Sequence, residues 1–334
     1  MTIGQESTIR DFCERYGIYP PFEIARIVAG RNNELHIISN PREKWVVKKY
    51  IQSDGDNRDR LATEFGFLTY LERIGVATVA QPIGADSNLL LALYTFVEGK
   101  RPTTIFPNYI SQAVQFIKSI NSLDHTASAQ RLPLASHACF TLEEHIALID
   151  SRLDRLVKIQ PSSAADFAMR QFVDDKLLPA ALTVKTKLQQ ALSKSNIRAE
   201  LTSNKPIISP SDFGFHNMLE NAGKLYFFDF EYSGWDDPAK LICDFICQPE
   251  IPLTAPQEYQ FIQEFSDGIS DSGRLERRVE LLLPLHRLKW CCIILNEFIS
   301  EAFRRRSQAG LQTSGLLELQ LNEAKRYFAA HCYN

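Results

Sequence analysis

The chain has 334 residues, 45% hydrophobic and 23% charged, with a formal net charge of −3. That length and composition allow a large core divided between two lobes. The acidic balance argues against a nucleic-acid-binding surface as the main function, because phosphate backbones favour a basic face.

Seven cysteines, at 13, 139, 243, 247, 291, 292 and 332, show no paired CxxC spacing. Their odd number and scatter point to reduced thiols in a cytoplasmic protein. Cys243 and Cys247 share a helix face, but with no partner pair they read as core. The N-terminal stretch is polar, and no apolar run approaches the roughly 20 residues that a membrane span needs.

In chain order, Ile9, Phe12 and Cys13 are spaced for one face of a short helix over Thr8 to Tyr16. Strand-like runs at Glu23 to Val28 and Glu34 to Ser39 flank Ala29-Gly30-Arg31-Asn32-Asn33, whose turn chemistry predicts a hairpin. Lys44 to Ile51 alternates as a third strand, and of its neighbouring Lys48 and Lys49 only one can face inward. A polar turn with Asp54, Gly55 and Asp56 follows. Leu61, Phe65, Leu68 and Leu71 then form the apolar stripe of a helix over Arg58 to Ile74, with Glu64 beside it. Val76 to Ile83 and Leu89 to Val97 read as two further strands, stopped by Glu98-Gly99. From Ile105 onward the pattern turns helical, over Tyr109 to Leu123, Leu142 to Ile159, Ser163 to Ser193, Pro256 to Ile269, Glu276 to Arg305 and Leu316 to Ala330. No solenoid repeat or low-complexity tract interrupts it.

The chemistry concentrates in Ser209 to Asp244. Asp212 is followed five residues later by Asn217, the spacing at which a kinase catalytic loop sets a proton-accepting Asp and a magnesium-binding Asn on one turn. Lys224 to Phe228 reads as a short buried strand that delivers Asp229 to the same end of the site. An Asp and an Asn from adjacent loops supply the hard oxygen ligands that magnesium takes, leaving Asp212 free to orient and deprotonate a hydroxyl. Capping and strand-end roles are the structural alternatives for Asn217 and Asp229.

DFGFHN followed by FFDFEYSGWDDP resembles the aminoglycoside phosphotransferase and choline kinase superfamily of small-molecule kinases, and DFEYSG is nearest the choline/ethanolamine side. The resemblance spans about Ala29 to Asp244. It implies an α+β, bilobal, protein-kinase-like fold: a small β-rich nucleotide-binding lobe over 1–97 and a larger, mostly helical catalytic and acceptor-binding lobe over 98–334. It also implies an enzyme that uses ATP or GTP with Mg²⁺ to phosphorylate a small-molecule hydroxyl, with Asp212 as base and Asn217 and Asp229 as metal ligands. The apolar-apolar-Lys-x-Tyr register selects Lys48 as the phosphate-binding lysine and Glu64 as its ion-pair partner. Gly30, Asn32 and Asn33 correspond to a GxxN-type phosphate loop, and Tyr94, Phe96 and Val97 to the adenine-binding hinge.

Two departures stand out: Pro210 replaces a family histidine and Leu241 replaces an Asp, both groups that brace the catalytic loop. Ser209, Ser211 and Asp244 are candidates for a substitute brace. A nucleotide-binding pseudokinase that serves as a scaffold is the rival reading. For the acceptor, Glu231, Asp236 and Asp237 place negative charge near the base, which suits an amino-bearing compound, or else form a solvated loop and an N-cap before Pro238. Trp290, beside His286 and Arg287, offers a planar face for a quaternary ammonium, or is core. Choline, ethanolamine, a sugar and an aminoglycoside all remain candidates.

Overall fold

A computed structural model of the chain describes residues 3–27, 33–52, 58–126, 129, 131–192, 205–269, 271–299 and 315–332. Gly30 and Asn32 of the expected phosphate loop, the turn at 54–56 and the end of the helix expected through Arg305 lie outside these residues.

Strands β1 (Glu23–Ile27), β2 (Asn33–Ser39), β3 (Lys44–Tyr50), β4 (Pro82–Asp86) and β5 (Leu91–Thr95) form one antiparallel sheet in the order β1-β2-β3-β5-β4. The two-residue period of the strands sorts their side chains between two cores. Helix α1 (Ile3–Arg15) packs Ile9, Phe12 and Cys13 on the face that carries Ile38, Val47, Leu91 and Leu93. Tyr50, Ala92 and Tyr94 point the other way, toward Phe67, Leu68 and Leu71 of α2 (Arg60–Arg73). Lys48 shares the parity of Tyr50 and is buried, while Lys49 is half-buried on the α1 side.

Helix α2 starts on Asp59, whose side chain accepts from the Ala62 amide at 2.9 Å. It ends at Gly75, in the left-handed region at φ +77, with the Val76 amide donated back to the Leu71 carbonyl at 2.9 Å. That closure corrects the strand expected over Val76 to Ile83: the amide of Val76 is spent on the helix end, Val79 makes a lone parallel bridge to Phe227, and β4 begins only at Pro82. The strand expected over Leu89 to Val97 is likewise shorter. The Asp86 carboxylate accepts from the amides of Asn88 and Leu89, which holds those residues in a turn, and β5 spans only Leu91–Thr95.

The remainder is mostly helical: α3 (Pro107–Ile120), a single turn at Leu123–Thr126, α4 (Leu142–Val157), α5 (Ala164–Phe172), α6 (Leu178–Leu192), α7 (Pro238–Cys247), α8 (Ala255–Ser266), α9 (Ser272–Ile294) and α10 (Leu316–His331). The segment read as one helix over Ser163 to Ser193 is divided by a π-turn at Val173–Leu177, where the Leu178 amide reaches the Val173 carbonyl. Pro179 has no N–H for the regular ladder, and the wider turn absorbs its ring. Two small ribbons, β6 (Ile207–Ser209) with β9 (Gly234–Asp236) and β7 (Met218–Asn221) with β8 (Lys224–Phe227), carry the acidic loops. The architecture is α+β and bilobal, with a small sheet-based lobe and a larger helical lobe. No helix among the described residues is long and apolar enough to cross a membrane.

A column of aromatic rings runs beneath the ribbons. Phe116 of α3 stacks on Phe227 of β8 at 4.2 Å and lies 5.8 Å from Phe213, the neighbour of Asp212. Phe213 in turn meets Phe245 of α7 at 5.4 Å, and Phe245 stacks on Phe261 of α8 at 3.9 Å. Phe116 is 4% exposed. The Phe116→Ala variant is therefore expected to lose about 3–5 kcal/mol of stability in urea unfolding, the range for emptying a phenylalanine site.

Candidate functional site

The site is built around one buried ammonium. Lys48 is 6% exposed, and its Nζ lies 2.6 Å from Glu64 Oε2, 2.7 Å from Asp229 Oδ1 and 3.7 Å from Glu231 Oε2. Burial works against the charge on Lys48. Asp229, Glu64 and Glu231 outweigh it and hold the lysine well above its ordinary range. Glu64 is pushed upward, first by burial and then by Asp229 and Glu231, against the pull of Lys48. Tyr50 donates its hydroxyl to Glu64 Oε2 at 2.6 Å, and its oxygen lies 2.9 Å from that of Tyr94. Glu64 Oε1 accepts the Phe230 amide at 3.2 Å. One carboxylate from α2 thus ties the sheet to the residues just after Asp229.

The two acidic loops are held by their own backbone. Asp229 sits in the left-handed region at φ +66, a strained conformation for a non-glycine residue, and this turn aims its carboxylate at Lys48. Asn217 is fixed on both sides. Its Nδ2 donates to the Asp212 carbonyl at 2.9 Å, and its own carbonyl accepts the Phe228 amide at 3.2 Å. The β7–β8 register, with Met218 opposite Phe227, sets that proximity. Asn217 is buried, while the Asp229 side chain is 32% exposed. Asp212 keeps a carboxylate that is 35% exposed.

His216 is the residue that the spacing argument passed over. It stands four residues after Asp212, with Nε2 3.4 Å from Asp212 Oδ1 and Nδ1 buried without a hydrogen bond. A Cβ at position 214 would lie 2.7 Å from that Nδ1, so Gly214 gives the imidazole its room. Burial lowers the basicity of His216, but the Asp212 carboxylate reverses the balance and leaves it raised. The signal in the sequence was the position of His216 one residue before Asn217 on the same turn.

Of the proposed loop braces, Ser209 is fully buried and its Oγ accepts the Ser211 amide at 3.0 Å; Ser211 itself has φ +70. Asp244 does not brace the loop. It is buried on α7, where its Oδ1 takes the indole of Trp290 at 3.2 Å, the His286 ring at 3.0 Å and the ammonium of Lys289. Leu241 lies in the core at 1% exposure.

Of the groups considered for the acceptor, Asp237 and Trp290 take the capping and core alternatives, and Glu231 and Asp236 are enclosed. Glu231 is 2% exposed and accepts the Asn33 side chain at 2.7 Å. It belongs to the lysine cluster rather than to an open pocket. Asp236 is fully enclosed, bound to Lys240 at 2.6 Å and to the amides of Cys139 and Asp237. Asp237 caps α7 through the Ala239 amide and pairs with Arg278 and His145. Trp290 is 9% exposed and packs within the core. All three acidic positions are therefore neutralised internally.

At the expected hinge, the Tyr94 side chain turns into the core toward Tyr50, and the Phe96 amide is already donated to the Lys44 carbonyl at 3.3 Å. Val97 follows, along a recess of about 490 Å³ whose walls also include Val76, Val79, Thr95 and Tyr226. None of Lys48, Asp212, Asn217 and Asp229 lines it. A metal-like grouping of carboxylates does occur at Glu64, Asp229 and Glu231, whose oxygens lie within 4.8 Å of one another. Glu64 and Glu231 are already committed to Lys48, Tyr50 and Asn33, so this trio is a lysine cage with Asp229 on its outer side.

A family model described as the phosphotransferase enzyme family matches residues 23–247. No curated protein matches the sequence. Among solved structures, a choline kinase from Streptococcus pneumoniae is similar at 15% identity and a TM-score of 0.62, over 98% of this chain and 99% of that one. A choline kinase from Cryptosporidium parvum is similar at 14% identity and 0.61, over 98% of each chain. A spectinomycin phosphotransferase, solved with ADP and spectinomycin, is similar at 12% identity and 0.61, over 95% of this chain and 98% of that one. At these identities the likeness is one of fold.

The buried network makes stability depend on pH. Burial, reinforced by Lys289, pushes His286 down to about 3 from its ordinary 6.5. Between those values the unfolded chain binds a proton that the folded protein excludes, so stability falls as pH drops through that window. Asp244, held far below its ordinary 3.8 by Lys289 and Lys240 against the cost of burial, adds a loss of the same sign at the acid end. Urea midpoints measured from pH 7 to pH 4 are expected to fall steadily, and His286→Gln is expected to flatten the slope.

Proposed function

The chain belongs to the phosphotransferase enzyme family, and we propose that it is an ATP-dependent, magnesium-requiring kinase acting on a hydroxyl of a small molecule. The observation that carries this reading is the convergence on Lys48: Glu64 from α2 and Asp229 from the loop after β8 meet its ammonium, while Asn217 and Asp212 are tied to the strand end that bears Asp229.

In this reading Lys48, fixed by Glu64, steadies the nucleotide phosphates, and Asp212 orients the acceptor. The hydroxyl oxygen forms its bond to the γ-phosphorus as the bond from that phosphorus to the β,γ-bridging oxygen breaks. ADP leaves with the electron pair, and the hydroxyl proton passes to the Asp212 carboxylate. Magnesium suits the side-chain oxygens of Asn217 and Asp229 and would neutralise charge on the phosphates when bound. Val97, whose neighbour Phe96 has spent its amide in the sheet, is the hinge position left to meet a purine edge. We set the lobe boundary at 97/98, just before Gly99. A Cβ there would lie 2.9 Å from that of Leu219, so glycine lets the segment that leaves the hinge pass close against β7. Seven unpaired cysteines suit the reducing cytoplasm.

The rival pseudokinase reading was motivated by Pro210 and Leu241. The Ser209 hydroxyl on the Ser211 amide and the Asn217 amide on the Asp212 carbonyl give the loop other supports, which favours the enzyme. The solved relatives include kinases of choline and of spectinomycin, so both an amino alcohol and an aminocyclitol belong in an acceptor screen. Steady-state assays with Mg-ATP are expected to show that Asp212→Asn lowers kcat by about 10²- to 10⁴-fold. Nucleotide binding, read by thermal shift, should persist in the same variant. Unchanged turnover in Asp212→Asn would leave the scaffold reading standing.

A further inference from the structure

Among the described residues of the helical lobe, the enclosed acids Asp236, Asp237 and Asp244 are matched by internal cations, and the Arg152 guanidinium is not matched by an acid. Arg152, on α4, has a buried Nε with no hydrogen-bond partner, and among the described residues no carboxylate lies within ion-pair distance of its guanidinium. Asp244 is the acid that acts on it through space, but Asp244 is already held by Lys289, Lys240, His286 and Trp290. Burial is the larger influence on Arg152 and lowers its pKa, and Arg155 and Arg58 add to it. Arg152 is half-buried, and a guanidinium with an enclosed, unbonded Nε and no acid partner is suited to an anionic ligand.

Arg152 does not stand alone. The Arg58 guanidinium donates to Ser136 Oγ at 3.0 Å and lies 4.9 Å over the ring of Tyr232. His137, next to Ser136, occupies the left-handed region at φ +55 and is exposed. Its imidazole is pushed down to about 4, first by the protein packed around it and then by Arg152, Arg58, Lys240 and Lys289. This group adjoins the candidate active site through the backbone. The Ser136 amide donates to the Tyr232 carbonyl at 2.9 Å, and Tyr232 lies three residues after Asp229. Gly234 locks the two segments together, since a Cβ there would come within 2.3 Å of the Pro133 carbonyl oxygen.

We propose that Arg152, flanked by Arg58 and His137, is the subsite for an anionic group of the acceptor, so that the compound phosphorylated is a hydroxy compound bearing a carboxylate or a phosphate. The inference rests on the kinase reading above and narrows it. It weighs against the amino-bearing acceptor, one of the alternatives the sequence left open, because Glu231, Asp236 and Asp237 are already neutralised. The planar guanidinium fork matches both carboxylate and phosphate oxygens.

The test compares the full chain with Arg152→Met and Arg152→Lys, using D-glycerate, sn-glycerol 3-phosphate, glycerol, choline and ethanolamine with Mg-ATP. The wild type is expected to prefer glycerate or glycerol 3-phosphate over glycerol, and the arm that responds separates carboxylate from phosphate. Arg152→Met is expected to raise KM for that acceptor by about ten-fold or more, with KM for ATP unchanged and partial recovery in Arg152→Lys. Its melting temperature is expected to stay level, because Arg152 pairs with no carboxylate among the described residues. Turnover of glycerol, choline or ethanolamine without any advantage for the anions would overturn the subsite and leave the kinase reading intact. A marked loss of stability in Arg152→Met would overturn it too, by making the arginine structural. Should no compound turn over, calorimetry of glycerate and glycerol 3-phosphate against the nucleotide-loaded protein decides, and no heat from either sinks the proposal. Failure to bind nucleotide at all would count against the kinase reading itself.

Discussion

A single lysine ammonium, withdrawn from water and surrounded by three carboxylates, organises this molecule. Removing a charge from water is tolerable only with close, well-directed partners, and the partners of Lys48 come from two stretches of chain: Glu64 from α2, Asp229 and Glu231 from the loop after β8. Meeting that requirement orients α2 against the sheet and brings the acidic loop up beneath it. Glu64 serves both demands at once, one oxygen toward Lys48 and Tyr50, the other toward the Phe230 amide. The loop that carries Asp212 is then placed by attachment to the same strand end, through Asn217.

Much of this arrangement was legible because it depends on short-range periodicity. Alternation along β3 puts Lys48 and Tyr50 on one face, and five-residue spacing puts Asp212 and Asn217 on one turn. The strand before Asp229 announced itself by its apolar run. What could not be read were the partners of the remaining charged groups, since a carboxylate in a sequence does not say which cation it will meet. Asp236 and Glu231 looked available to a substrate and are instead bound to Lys240 and Asn33. Trp290 carried the right chemistry for a cation but is packed in the core with its indole donated to Asp244. Strand boundaries failed where backbone amides were drawn into a helix end, at Val76, or into an Asx turn, at Asn88 and Leu89.

The helical lobe shows how one structural task can be shared among different residues. With Leu241 in the core, the loop before Asp212 is held from within by the Ser209 hydroxyl and from below by the aromatic column through Phe213. Asp244, one turn along from Leu241, is enclosed with Lys240, Lys289 and His286. Fully connected polar networks of this kind specify a unique packing because each member loses its partner if any element shifts.

The pairing of Lys48 with Asp229 spans 181 residues of chain, and that of Asn33 with Glu231 spans 198. On a ribosome adding roughly 5–20 residues per second, the lysine emerges about 10–40 s before the carboxylate it needs. Throughout that interval the inner face of the sheet holds an ammonium with only Glu64 at hand. The α1 side of the sheet, whose contacts are all encoded within the first hundred residues, is free to consolidate at once. The amino-terminal lobe is thus made in two instalments, with an outer face that matures during translation and an inner face that closes only after the acidic loop has been synthesised.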